Sequence, residues 1–99
     1  MNIAVDMTRK RKNIVGPLVR KRRYSLGWTQ AELAVKLQIA GWDLDRSGVS
    51  KLESGSVWVG DFEMLYLAAA LKIEVWHLYP ATGLEKNLHD SITKWRERR

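Results

Sequence analysis

Cysteine is absent from this sequence of 99 residues. Without it the chain can form neither a disulfide framework nor a thiolate metal site. That absence also fits a protein of the cytoplasm, where thiols stay reduced. The longest apolar run, Met64 to Leu71, is far too short for a membrane span, and the N-terminus lacks the apolar core of a signal peptide. We therefore expect a cytoplasmic protein that does not engage a membrane.

Positive charge is concentrated at one end of the chain. Residues 1–30 carry a net charge of +7, whereas residues 31–99 carry −1. A basic stripe of this kind attracts a polyanion such as DNA or an anionic membrane surface. The alternative is that these Lys and Arg side chains simply solvate the first helix. The length itself predicts one domain with a single modest core.

Helical periodicity and capping residues predict an all-α fold. Gly16–Pro17 marks the start of a first helix, since proline is tolerated in the first turn. Thr29–Glu32 forms a capping box that opens a second helix, which should end near Ile39–Gly41. Asp45 is a suitable N-cap for a third helix over Arg46–Ser54.

Two further helices are expected before Pro80. The fourth runs over about Asp61–Leu71, and its predicted inward positions are Phe62, Leu65, Ala68 and Leu71. A brief fifth helix is expected around Val75–Tyr79, because Pro80 stops it. No segment of useful length shows the alternation of a β-strand.

A second capping box, Thr82–Glu85, predicts a C-terminal amphipathic helix. Its apolar face consists of Leu84, Leu88, Ile92 and Trp95. We divide the chain into a flexible basic arm over residues 1–13, a helical domain over 14–80 and a C-terminal helix over 81–99. The apolar face either folds back on its own domain or meets the same helix of a second copy, and we expect the homodimer.

The second and third helices suit DNA recognition. In a helix-turn-helix the first helix packs against the DNA backbone, and the second lies in the major groove with its first turn on base edges. Leu33, Val49 and Leu52 can hold the two helices together. The donors that remain outside the third helix are Arg46, Ser47, Ser50 and Lys51.

The stretch from Val19 to Tyr79 resembles the lambda-repressor-like, Cro-type (XRE) family of helix-turn-helix domains. Two elements carry the resemblance, a Thr-Gln-x-Glu-Leu-Ala run and a Ser-x-Leu-Glu-x-Gly run. The matching residues are Val19-Arg20, Arg23, Leu26 to Ala34, Leu37, Arg46 to Gly55, Leu65, Leu67-Ala68 and Ala70 to Ile73. The resemblance implies a five-helix domain and a sequence-specific transcriptional regulator of duplex DNA, a repressor of phage or antitoxin type rather than an enzyme.

Roles for individual residues follow from the same resemblance. Arg46, Ser47 and Lys51 match base-reading positions, and Arg46 suits a bidentate contact to guanine. Gln30 matches a glutamine that contacts phosphate. Arg23 and Glu53 match a structural salt bridge between the first helix and the end of the third. Ser50 is assigned a further backbone contact, and the positive charge of the arm, rather than the resemblance, assigns backbone contacts to Arg9, Lys10, Arg11 and Lys12.

The basic arm and the second connection keep alternatives open. Residues 9–12 either touch phosphates or an adjacent groove, or remain in solvent. Between Leu37 and Arg46 the chain has about five residues more than the turn of the family. Either the second helix is a turn longer or the connection is a true loop. Trp42 in this stretch either packs on the core or faces a DNA backbone.

No metal, cofactor or catalytic site is predicted. Asp43, Asp45 and Ser47 begin like a calcium loop, but its last position, which needs glutamate, is Ser54. The two histidines have no second ligand at a suitable spacing. Duplex DNA is the expected partner, with a toxin or another protein as a further one. The alternative function is a protein-interaction module that keeps the fold without binding DNA.

Overall fold

The computed structural model describes residues 11–80, which form four α-helices and one 3-10 helix with no strand in that range. The helices are α1, Gly16–Ser25; α2, Gln30–Ala40; α3, Arg46–Glu53; α4, Asp61–Leu71; and the 3-10 helix, Val75–Leu78. The all-α prediction is therefore confirmed for this part of the chain, and the brief fifth helix is a 3-10 turn. Most of the arm (residues 1–10) and the C-terminal helix expected over 81–99 lie outside the described residues. No helix within 11–80 is long and apolar enough to cross a membrane.

Capping side chains set where α2 and α3 begin. Thr29 Oγ1 accepts a hydrogen bond from the Glu32 N–H at 3.1 Å, and Glu32 accepts one from the Thr29 N–H at 2.9 Å, which forms the predicted capping box. The bond from the Thr29 backbone is the main reason why the pKa of Glu32 lies below its ordinary value. Asp45 caps α3, since its Oδ1 accepts from the Gly48 N–H at 2.8 Å. Each cap satisfies an N–H group that a first helical turn leaves unpaired.

The start of α1 lies against the end of α3 at a position where only glycine fits. A Cβ atom on Gly16 would collide with the carbonyl oxygen of Leu52 and lie 2.6 Å from that of Glu53. Asn13 holds this approach in place: its Oδ1 accepts from the Gly16 N–H at 2.8 Å, and its Nδ2 donates to the carbonyl oxygens of Leu52 at 3.2 Å and Val57 at 2.9 Å. The first turn of α1 is thereby fixed to the last turn of α3.

An apolar core lies between the helices. Side chains with no exposed area come from every helix: Val19, Leu33, Leu37, Val49, Leu52, Leu67, Leu71 and Leu78. The predicted buried faces of α2 and α3 are confirmed. The predicted inward face of α4 is half wrong, because Phe62 is 70% and Leu65 is 56% exposed, whereas Met64 and Leu67 are buried. α4 is apolar on almost every side, so its periodicity does not indicate which stripe faces the core.

Arg22, in the last turn of α1, binds the C-terminal end of α4. Its Nε donates to the carbonyl oxygen of Leu71 at 2.9 Å, and a terminal nitrogen donates to that of Lys72 at 3.3 Å. These bonds satisfy carbonyl groups that the end of α4 leaves unpaired. α1 is therefore tied to the ends of both α3 and α4.

Candidate nucleic-acid interface

α3 presents an apolar face to the core and a polar face to solvent. Val49 and Leu52 are fully buried. The exposed residues of the other face each carry a hydrogen-bond donor, and they are Arg46, Ser47, Ser50 and Lys51. Residues three and four positions apart lie on the same side of a helix, as Arg46 and Ser50, Ser47 and Ser50, and Ser47 and Lys51 do, so these donors share one surface that begins at the first turn. The structure thus brings together the predicted base-reading residues.

α2 continues for three residues past Leu37, to Ala40, and a five-residue loop, Gly41–Asp45, then connects it to α3, so the added residues are divided between the helix and the loop. Gly41 has φ 121°, in the left-handed region that favours glycine. Gln38 Nε2 donates to the carbonyl oxygen of Leu44 at 3.1 Å, which ties the loop back to α2. Trp42 is partly buried and packs against the core. The longer connection is therefore an ordered part of the domain that fixes the start of α3.

A buried ion pair joins α1 to α3. The side chain of Glu53 has no exposed area, and that of Arg23 is 6% exposed. Arg23 Nε donates to Glu53 Oε2 at 2.6 Å, and a terminal nitrogen donates to Oε1 at 3.0 Å. The third guanidinium nitrogen donates to the carbonyl oxygen of Trp28 at 2.7 Å. The bidentate pair therefore fixes the end of α3 to α1 and to the turn before α2.

Hydrogen bonding keeps both members of the pair charged. Burial works to raise the pKa of the Glu53 carboxyl, but hydrogen bonds from Arg23, Gln30 and Arg20 outweigh it and hold the pKa below its ordinary value. The bond to Glu53 outweighs burial in the same way and raises the pKa of Arg23. Removing Glu53 would leave Arg23 as an unpaired buried charge.

Two more donors converge on the same carboxylate. Gln30, the first residue of α2, donates from Nε2 to Glu53 Oε1 at 3.1 Å. Arg20 donates from Nε to that oxygen at 3.4 Å, and its side chain is 47% exposed. A primary amide carries two hydrogens, so one bond to Glu53 leaves Gln30 able to donate to a second acceptor. Gln30 is thus held at the start of α2 with donor capacity for a phosphate.

The basic arm is anchored at the end of α3. The Lys12 N–H donates to the carbonyl oxygen of Gly55 at 2.8 Å. The Arg11 side chain passes beside the same glycine, where an added Cβ atom would lie 3.2 Å from a terminal nitrogen of Arg11. The structure therefore places these two predicted arm residues next to α3. Arg9 and Lys10 lie outside the described residues.

Cations lie at both ends of α3. Arg46 stands at its first residue and Lys51 near its last turn, while Arg11 and Lys12 lie beyond its end. Arg20 approaches the same end from α1 through Glu53. Such a grouping of positive charge raises the local concentration of a polyanion and speeds its association. The arrangement offers donors and positive charge to a nucleic acid.

The sequence alone assigns no role to Arg20 or Asn13. Nothing local distinguishes Arg20 from its basic neighbours, because its partner Glu53 is 33 positions away. Asn13 did carry a signal, since an asparagine just before a helix commonly accepts from the first N–H groups. Its bonds to Leu52 and Val57, however, depend on how α1 meets α3.

No family model matches the chain, and no curated protein sequence matches it significantly. Among solved structures, it is similar to the crystal structure of the restriction-modification controller protein C.AhdI from Aeromonas hydrophila. The sequences are 35% identical, the match covers 66% of this chain and 91% of that chain, and the TM-score is 0.58. The similarity is therefore one of sequence as well as of fold.

Proposed function

Because the chain belongs to the lambda-repressor-like, Cro-type (XRE) family of helix-turn-helix proteins, we propose that it regulates transcription by binding specific sequences in duplex DNA. The exposed donor face of α3 is the observation that carries this proposal. In the helix-turn-helix docking geometry, a face of this kind enters the major groove while the preceding helix crosses the DNA backbone. We also propose that the protein acts in the cytoplasm.

Base reading is assigned to the first turns of α3. Arg46 suits guanine, because a guanidinium can donate to O6 and N7 of that base at the same time. Ser47 and Lys51 share its exposed face and supply further donors to base edges. We expect these three residues to set the sequence preference.

Backbone contacts are assigned to residues around α3. Gln30 at the start of α2 and Ser50 on α3 supply neutral donors. The arm residues Arg9, Lys10, Arg11 and Lys12 supply positive charge. Contacts of this kind position a protein on the duplex and carry no sequence information directly.

The solved relative supports a proposal for the biological setting. Its description as a restriction-modification controller favours control of such a system over the phage and antitoxin settings. We propose repression as the mode, because a domain bound in the major groove blocks the DNA that it covers. A toxin partner has no support in the described residues.

The protein-interaction alternative is disfavoured by the chemistry of α3. The residues that anchor protein interfaces are mainly tryptophan, tyrosine and arginine clustered in desolvated pockets, and serine is under-represented among them. Of these anchor types, α3 exposes only the single arginine Arg46. The exposed face of α3 carries two serines and two cations and no apolar anchor. This composition suits a hydrated, negatively charged ligand.

Selection of binding sites from random duplexes by the full chain tests the proposal. We expect enrichment of one motif containing guanine at a fixed position. Arg46→Ala should lose about 1–3 kcal/mol on the selected site and relax the preference at that position. Gln30→Ala should weaken binding to all duplexes evenly, since it removes a backbone contact.

Lys21→Ala is the matched control, because this exposed lysine of α1 lines a cleft beside the 3-10 helix, away from α3. It should leave both the motif and the preference unchanged. Selection without enrichment would contradict DNA recognition altogether. Equal, sequence-independent losses in Arg46→Ala and Gln30→Ala would remove α3 as the reading element.

A further inference from the structure

The four consecutive basic residues of α1 have different surroundings. Arg23 is buried in the ion pair with Glu53. Arg22 donates to the end of α4, and Lys21 lines the cleft beside the 3-10 helix. Arg20 is the exposed member that reaches the end of α3, with its Nε 3.4 Å from Glu53 Oε1. The four therefore serve different parts of the molecule despite their similar charge.

We propose that Arg20 is a further phosphate-contacting residue and that Glu53 is the positioning residue that holds it beside Gln30. One oxygen, Glu53 Oε1, accepts from both Arg20 and Gln30, so the two donors lie side by side where α1, α2 and α3 meet. A phosphodiester has two free oxygens, and a single group can accept from both side chains. The inference rests on the proposed function, because it requires α2 to cross the DNA backbone.

Arg20 can exchange Glu53 for a phosphate at little cost to the fold. Its bond to Glu53 is the longest of the four that this carboxylate accepts. When Arg20 departs, Glu53 keeps the bidentate bond from Arg23 and the bond from Gln30, so its charge remains paired. The Arg20 side chain is about half exposed, so solvent screens its ion pair with the buried Glu53 and the pair contributes little to stability. Arginine is suited to the new contact, since its planar fork matches phosphate geometry.

Glu53 itself would repel a phosphate unless its charge were covered. Two guanidinium groups face this one carboxylate, which leaves one positive charge in excess. Because Glu53 is fully buried, the groups that reach the solvent side of the cluster are the donors of Arg20 and Gln30. The cluster therefore presents a net positive, donor-rich surface.

The salt dependence of DNA binding tests this inference on the full chain. Each lost phosphate contact lowers the slope of log affinity against log salt by about 0.9, so the affinity ratio between about 50 and 200 mM salt should shrink about threefold in Arg20→Ala. Lys21→Ala, one residue away with the same charge removed, should keep the slope of the unaltered protein. Arg20→Lys should also keep it, because the charge at that position remains. The probe is a short random-sequence duplex, which removes any effect of base reading.

Thermal unfolding of the same variants separates contact from structure. We expect Arg20→Ala and Lys21→Ala to melt close to the unaltered protein. If Arg20→Ala binds with an unchanged slope, or if its melting temperature falls far below that of Lys21→Ala, Arg20 serves the fold alone and the inference is overturned. If the unaltered protein binds neither this duplex nor any selected site, the proposed function itself fails, which is a different result.

Discussion

Glu53 shows how much can depend on one buried carboxylate. Its two oxygens accept four hydrogen bonds from Arg20, Arg23 and Gln30, which belong to α1 and α2. Breaking a buried ion pair by removing one partner costs about 3–5 kcal/mol. Small domains have only about 5–15 kcal/mol in total. The position of α3 therefore depends on this residue remaining ionised.

Glu53 should make the stability of the domain sensitive to acid. Its pKa is lower in the folded protein than the ordinary value of 4.5, so the unfolded state binds more protons between these two values. We expect the contribution of Glu53 to the free energy of unfolding to be fully present above about pH 4.5 and to decrease as the pH drops through this window. In Glu53→Gln this contribution is absent. The plot of the free energy of unfolding against pH should therefore be flatter by up to about 1.4 kcal/mol per pH unit.

Urea unfolding of both proteins between about pH 3 and pH 7 measures the difference. Other acidic residues, including Glu32 in its capping box, titrate equally in both and cancel in the comparison. Glu53→Gln should also be less stable at neutral pH, because Arg23 loses its counter-charge. Parallel curves for the two proteins would show that Glu53 has no special role in acid unfolding.

Among the four α-helices, α3 is the shortest, and its start carries proposed base-reading residues. It has eight residues, and a helix this short depends on packing and caps rather than on its own propensity. Its first turn carries Arg46 and Ser47, the proposed readers, directly after the capping residue Asp45. Loosening of this turn would affect stability and base reading together.

Removal of the α3 cap should cost about 1 kcal/mol. Asp45→Ala deletes the acceptor for the Gly48 N–H, and the melting temperature should fall by about 4–8 °C in a domain of this size. Asp43→Ala is the control, since this exposed aspartate lies in the same loop and carries the same charge. It should change the free energy of unfolding by less than about 0.5 kcal/mol. Equal losses in the two variants would assign the effect to charge instead of capping.

The helices themselves were predictable from local signals, and their contacts were not. Thr29 and Asp45 each cap an N–H group only three residues further along the chain, so the sequence shows both caps directly. The outward direction of Phe62 on α4 depends on where the neighbouring helices lie, which a helix that is apolar on most sides does not encode. The same holds for the site: exposed donors on α3 follow from its pattern, whereas the bond from Gln30 to Glu53 spans 23 positions.

At the scale of the whole molecule, the described helices form a complete core while apolar surface remains outside it. Leu78 is fully buried at the end of this core. Phe62 and Leu65 are exposed on α4, and the sequence of residues 81–99 carries its own apolar stripe. Surface of this kind commonly marks a site of association. A two-fold dimer would place two copies of α3 about 34 Å apart, one turn of DNA.

We expect the full chain to sediment as a dimer at micromolar concentration and a chain ending at Pro80 to sediment as a monomer. Both should unfold cooperatively, because the buried side chains of the described core lie before Pro80. A truncated chain that remains dimeric would move the interface to the exposed face of α4. If both chains are monomeric, the dimer proposal is wrong.

Asn13 and the Lys12 N–H fix the point from which residues 1–10 depart, beside the end of α3. If α3 occupies DNA as proposed, any contact by these residues is intramolecular, and its strength depends on an effective concentration instead of the concentration of free protein. For a short tether that concentration is about millimolar, so a contact with a dissociation constant of about 1 mM would double the overall affinity. A contact that is too weak to detect for the isolated segment would therefore still raise the affinity of the whole chain. Asn13 contributes to this effect, because it fixes the point where residues 1–10 begin.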